Sequence, residues 1–132
     1  MRIVIDTNVI ASAIFFGGLP RELIEHLVKR ELSAFASPEI INEYQETIKE
    51  LSSKYSKKTP IFPLNTIISS IRLIDPVSNV QVCRDPDDDK FISCALDAKC
   101  VYIVSGDKDL LSIRKYKNIE ILTVSEFLSK YR

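Results

Sequence analysis

Two short stretches of the chain end an apolar run on acids, a third gathers four aspartates at a helix start, and a further acid lies on a helix between them. Asp6-Thr7-Asn8 follows Ile3-Val4-Ile5 directly. Asp85-Pro86-Asp87-Asp88-Asp89 precedes Lys90-Phe91, and Ser105-Gly106-Asp107-Lys108-Asp109 follows Val101-Tyr102-Ile103-Val104. A carboxylate beside a buried strand needs hydrogen bonds or a cation, because burying it unpaired is costly. Carboxylates that gather in one place are suited to hard divalent cations such as Mg2+ or Mn2+. A simpler account exists for each stretch alone, since Asp, Ser, Thr and Asn cap helix N-termini and acids in the first turn are favoured by the helix dipole. That account covers one or two acids in 85–89 but not four in five positions, where like charges repel.

The elements that would position these residues alternate along the chain. Ile3, Val4 and Ile5 are β-branched with no polar alternation, the pattern of a strand buried on both faces. A helix over about 9–16 follows, then Gly17, Gly18 and Pro20 as a turn, and a helix with Leu23, Ile24, Leu27, Val28 and Leu32 facing the core. A short strand is expected at 33–36. Ser37 and Pro38 then open a helix to about Leu51, as N-cap and first helical residue. At about 100° per residue, Ile40, Ile41, Tyr44, Ile48 and Leu51 form one stripe. Of Glu39, Glu43, Glu46 and Glu50, Glu43 lies nearest that stripe, about 110° from its centre. It is the glutamate best placed to reach a cleft at the core's edge.

Residues 52–63 read as a solvated connection, in which Lys54, Lys57 and Lys58 with Tyr55 offer only weak contacts for a phosphate backbone. A helix is expected at 64–71, a short strand at 72–75, a helix from Asp85, a strand at 101–104, a strand at 119–124 and a closing helix at 125–131. In the helix from Asp85, the spacing puts Asp85 and Asp89 on one face and turns Asp88 towards Ile92 and Ala95. Five short strands alternating with helices argue for one domain over 1–132, a three-layer α/β/α fold around a central, mostly parallel five-stranded sheet with right-handed connections. In such sheets ligands bind at the carboxyl ends of the strands, where Asp6 and Asp107 fall.

Composition sets further bounds. Lys plus Arg and Asp plus Glu are both 18, so no overall basic field draws the chain to nucleic acid, and a polyanion would need a local patch or a bound metal. No run is long enough to span a bilayer and the opening strand carries no signal-peptide pattern, so the cytoplasm is the expected compartment. Cys83, Cys94 and Cys100 have no CxxC spacing and read as free thiols. His26, the one histidine, reads as a surface residue.

Asp6-Thr7-Asn8 after the opening strand, the Ser37-Pro38 to Glu43-Tyr44 helix, Asp85-Pro86-Asp87-Asp88-Asp89-Lys90-Phe91 and Ser105-Gly106-Asp107-Lys108-Asp109-Leu110 together resemble the PIN-domain ribonucleases, and specifically their toxin-like branch. The likeness implies a Mg2+- or Mn2+-dependent endonuclease acting on single-stranded RNA. It aligns Asp6, Glu43, Asp89 and Asp107 with the family's acidic quartet, as metal ligands and catalytic residues. Asn8, Asp85, Ser105 and Asp109 would orient water or a neighbouring carboxylate, with Ser105 where the family often has Thr. The aspartate run leaves open which of Asp85, Asp88 and Asp89 contacts metal. The likeness further implies a homodimer and a small antitoxin protein that covers the site. Two other classes fit parts of the pattern. A receiver-like Mg2+-binding signalling domain would want paired acids after the first strand, where Asp6-Thr7 stands, and has no use for Glu43. A PIN-like RNA-binding module without turnover would keep the fold but has no need of the whole quartet.

Overall fold

A computed structural model describes residues 1–55 and 63–131. Its elements are β1 (Arg2–Ile5), α1 (Thr7–Phe15), α2 (Gly18–Val28), β2 (Ser33–Ala36), α3 (Pro38–Lys54), α4 (Leu64–Ser69), β3 (Ile71–Leu73), α5 (Asp89–Asp97), β4 (Tyr102–Val104), α6 (Lys108–Ile113), β5 (Lys115–Tyr116), β6 (Ile119–Leu122) and α7 (Val124–Tyr131). The strands form one sheet in the order β3-β2-β1-β4-β6-β5, parallel except for β5, which pairs antiparallel with β6. Flanking helices complete the α/β/α arrangement expected from the alternation. The strand beyond the expected five, β5, is a two-residue return joined to β6 through Lys117, at φ 53°, and Asn118. It is too short to carry a periodic signal.

Residues 3–5 of β1 are fully buried, between β2 on one side and β4 on the other. Each such side chain contributes about 1.5–3 kcal/mol on burial, which gives the strand a large apolar surplus over the polar residues at its end. The chain fills the sheet outward from β1 in two directions: first to β2 and β3, then back across to β4 and β6. The order therefore reverses between β1 and β4, and a crevice opens at their carboxyl ends. Asp6 follows β1 there, and Ser105-Gly106-Asp107 follows β4.

The helices hold that edge in place. Ser37 caps α3 as expected, its Oγ accepting from the Ile40 N–H at 3.2 Å with Pro38 in the first turn. α3 runs three residues beyond Leu51, so the connection begins later than the sequence suggests; Lys57 and Lys58 lie outside the described residues. Tyr44 on α3 is fully buried and its hydroxyl donates to the Ile5 carbonyl at the end of β1, tying the glutamate-bearing helix to the strand that presents Asp6. α5 packs across β1, β2 and β4 through Phe91, Ile92 and Ala95. Cys94 and Cys100 are buried and Cys83 half-buried, all free, and burial pushes each thiol up to about 12, which leaves them unreactive. His26 is half-buried, packed on the Tyr131 ring with Nδ1 3.2 Å from Glu31. No helix among the described residues is long and apolar enough to cross a membrane.

Tyr44→Phe removes the hydroxyl while leaving the Ile5 carbonyl in a dry site. A loss of roughly 1–3 kcal/mol is expected, read as a lower urea midpoint with an unchanged slope; an unshifted midpoint would show that the tie is not needed.

Candidate metal centre

At the crevice between β1 and β4, a cavity of about 210 Å³ is lined by Asp6, Thr7, Asn8, Glu43, Thr47, Asp88 and Asp107. Its lining carries four carboxylates and no basic side chain. The space accommodates several water-sized groups.

Asp6 is only 5 % exposed. Its backbone carbonyl accepts from the N–H groups of Val9 and Ile10, but its side chain makes no capping bond to α1. The carboxylate is held instead by Ser105, whose Oγ donates to Asp6 Oδ2 at 2.7 Å and accepts from the Asp107 N–H at 2.9 Å. Ser105 is fully buried, so one hydroxyl ties together the ends of β1 and β4. Burial raises the Asp6 carboxyl above its ordinary range; the Ser105 and Thr7 hydrogen bonds oppose this, and Asp107 and Glu43 add to it. Asp107 does cap α6, Oδ2 accepting from the Leu110 N–H at 3.1 Å. Asp107 also lines the cavity beside Asp88.

Helix geometry orders the α3 glutamates as expected: Glu43 is half-buried, whereas Glu39, Glu46 and Glu50 are exposed. Both oxygens of Glu43 are engaged. Oε2 accepts from the Thr7 hydroxyl, and Oε1 lies 2.7 Å from Lys90 Nζ. Burial disfavours the charge on Lys90, but its bonds to Glu43 and Asp87 outweigh that and raise its pKa.

The aspartate run divides between two tasks. Residues 86–88 form a 3-10 turn capped by Asp85, whose Oδ1 accepts from the Asp87 N–H at 3.0 Å, and the α-helix begins only at Asp89. The expected α-helical face shared by Asp85 and Asp89 is therefore not formed, because the tighter turn changes the angular step between them. Asp88 enters the cavity, above the buried side of α5. Asp89 faces elsewhere: its Oδ1 accepts from the N–H groups of Val82 and Cys83 at 3.0 and 2.8 Å. Four and eight residues on, Ser93 accepts from the Val80 N–H and Asp97 from those of Val77 and Ser78. These three side chains stitch an extended strap, residues 77–83, along α5. Burial works against the Asp89 charge, but the Cys83 and Val82 bonds outweigh it and lower its pKa; Asp97 is lowered by Ser78 first.

Carboxylate oxygens of Asp88, Asp107 and Asp109 lie within 4.8 Å of one another. Burial pushes the Asp88 carboxyl up to about 7, with Asp107, Asp85 and Asp6 adding repulsion. The structure thus brings Asp6, Glu43, Asp107 and Asp88 to one cavity, with Asn8 on its wall, Ser105 beneath it and Asp109 beside it. Asp85 and Asp89 serve the backbone. A cluster of desolvated oxygens with surplus negative charge fits a hard divalent cation.

A mostly parallel sheet with acids gathered at its switch point offers a set of oxygen ligands that could hold a divalent cation. The chain belongs to the PIN-domain family, whose model matches residues 2–109. It is 35% identical over 145 aligned residues to an uncharacterized protein of Methanocaldococcus jannaschii, with 99% of this chain and 92% of that protein covered.

The two aspartates separate by experiment. Asp88→Asn should weaken Mn2+ binding by at least about tenfold without loosening the strap. Asp89→Asn should speed amide exchange at residues 82 and 83 and change Mn2+ affinity much less than Asp88→Asn does; the opposite pattern in calorimetry and exchange would reverse the assignment. The pH dependence follows from Asp88 and Asp6. Asp88 is raised to about 7 and Asp6 is raised as well, so the folded protein holds more protons than the unfolded chain above the ordinary value of 3.8, and for Asp88 as far as about 7. Their contribution to stability is present in full below that window and is lost as pH rises through it. Without metal, the melting temperature should fall across this range relative to an Asp88→Asn variant, and saturating Mn2+ should restore it above pH 7.

Proposed function

We propose that this protein is a divalent-metal-dependent endoribonuclease that hydrolyses phosphodiester bonds in single-stranded RNA. The observation that carries the reading is the convergence of Asp6, Glu43, Asp88 and Asp107, separated by up to a hundred positions in the chain, on one cavity at the sheet's switch point. Family membership supports it, since the PIN fold is of the nuclease type.

Asp6, Asp88 and Asp107 would hold the cation, with Asp109 beside them. Mg2+ or Mn2+ bound there would lower the pKa of a water and offset charge on the phosphate. The chain's own residues supply the rest. Ser105 holds Asp6 against rotation at the cavity wall. Thr7 and Lys90 fix Glu43 at the cavity wall, where its carboxylate can orient a water approaching the phosphorus. Four acids without metal would repel a polyanion; a bound cation would offset much of that charge and offer a phosphate oxygen a local positive partner, which the zero net charge of the chain does not. A flexible single strand can bend a phosphate into so small a cavity, which a rigid duplex cannot. Service as the toxin of a toxin–antitoxin pair, with a small antitoxin covering the site and a homodimer as the acting form, rests on the likeness of the motifs to the toxin-like branch.

Purified protein should cleave labelled single-stranded RNA only with Mn2+ or Mg2+ present, and Asp6→Asn or Asp107→Asn should reduce the rate about a hundredfold or more. Cleavage that persists after chelation and in both variants would overturn the proposal.

A further inference from the structure

Glu43 and Lys90 make the cavity asymmetric. The Lys90 side chain is only 6 % exposed although it is a lysine, and Glu43 is 26 % exposed. All three ammonium donors of Lys90 have partners: Glu43 Oε1 at 2.7 Å, Asp87 Oδ1 at 3.1 Å and the Asp87 carbonyl at 2.7 Å. Lys90 reaches Glu43 from outside the cavity, from a neighbouring groove of about 750 Å³ that it lines with Ser37, Pro38 and Ser93. Thr7 takes the other Glu43 oxygen. Glu43 is not among the acids whose oxygens lie close enough to share an ion, which among the described residues are Asp88, Asp107 and Asp109.

Two-metal sites place their ions about 3.5–4 Å apart, each needing carboxylate oxygens of its own. Four carboxylates around one cavity would ordinarily suit that arrangement. Here the carboxylate at the Glu43 end already has a fixed positive charge. We infer that Lys90 stands in for a second divalent ion, so that the site takes a single cation at the Asp88–Asp107 end while the Lys90 ammonium holds Glu43 in place. The inference rests on the metal-dependent reading above and makes Lys90 a positioning residue that acts through Glu43. An ammonium is a compact point charge that cannot ionise a bound water as a metal does. The two ends of the cavity would then differ in kind, one acidifying water and one only carrying charge.

The test counts Mn2+ bound to RNA-free protein at pH 8, by calorimetry and by loss of the free-Mn2+ paramagnetic signal. Wild type should bind one equivalent per chain. Lys90→Met should acquire a second, weaker equivalent, Lys90→Arg should stay at one, and Lys90→Met combined with Glu43→Gln should return to one. Two equivalents on wild type would overturn the inference while leaving the metal-dependent reading intact, and so would a Lys90→Met protein that melts cooperatively yet still binds one. No Mn2+ on wild type or on Lys90→Met would overturn both. Because the wild-type count alone can refute the idea, the outcome does not depend on every variant folding.

Discussion

The arrangement depends on keeping one carboxylate, Asp6, almost out of water where the sheet changes direction. Such a group is tolerable only if its oxygens have partners, since an uncompensated buried charge costs several kcal/mol. Ser105 provides one partner from the adjacent strand, and in doing so fixes the spacing of β1 and β4 at their carboxyl ends. The same hydroxyl receives the Asp107 amide, so the position of a second acid follows from the bond that satisfies the first. The apolar burial of residues 3–5 is what allows the strand to end on so polar a group.

Around that centre the supporting side chains are divided by role. Tyr44 fastens α3 to β1, Thr7 and Lys90 fasten Glu43, and Asp89, Ser93 and Asp97 fasten the strap to α5. The strap makes up nearly half of the connection between β3 and α5, and its backbone amides would otherwise go unpaired. By holding that segment down, the three side chains fix the start of α5 and with it the direction in which Asp88 points.

Much of this was legible in the residues themselves. The apolar strands, the Ser37-Pro38 cap and the placing of Glu43 ahead of Glu39, Glu46 and Glu50 all follow from local rules, because periodicity and capping report on the nearest turn of chain. Asp88 shows both the reach and the limit of such rules. Helical spacing already turned it towards Ile92 and Ala95, the face that proves to be buried, while likeness of motif favoured Asp89. What spacing could not supply was the 3-10 turn, or the amides of residues 82 and 83 waiting for the Asp89 carboxylate, since these depend on a strap with no periodic signal. The Lys90–Glu43 pair was equally hidden, because the two residues are brought together only by packing of α3 near α5. β5 escaped notice for want of length.

The junction where the 3-10 turn gives way to α5 has a bearing on how relatives of this chain should be compared. Two consecutive aspartates with identical chemistry differ in employment because of a rotation set by backbone winding, and that winding leaves no mark in a column of letters. An alignment that slid the acids by a single place would pair the cavity's occupant with the strap-holder. Within this run, homology should therefore be anchored on the apolar residues that follow, Phe91, Ile92 and Ala95, whose phase against the sheet decides which acid looks inward.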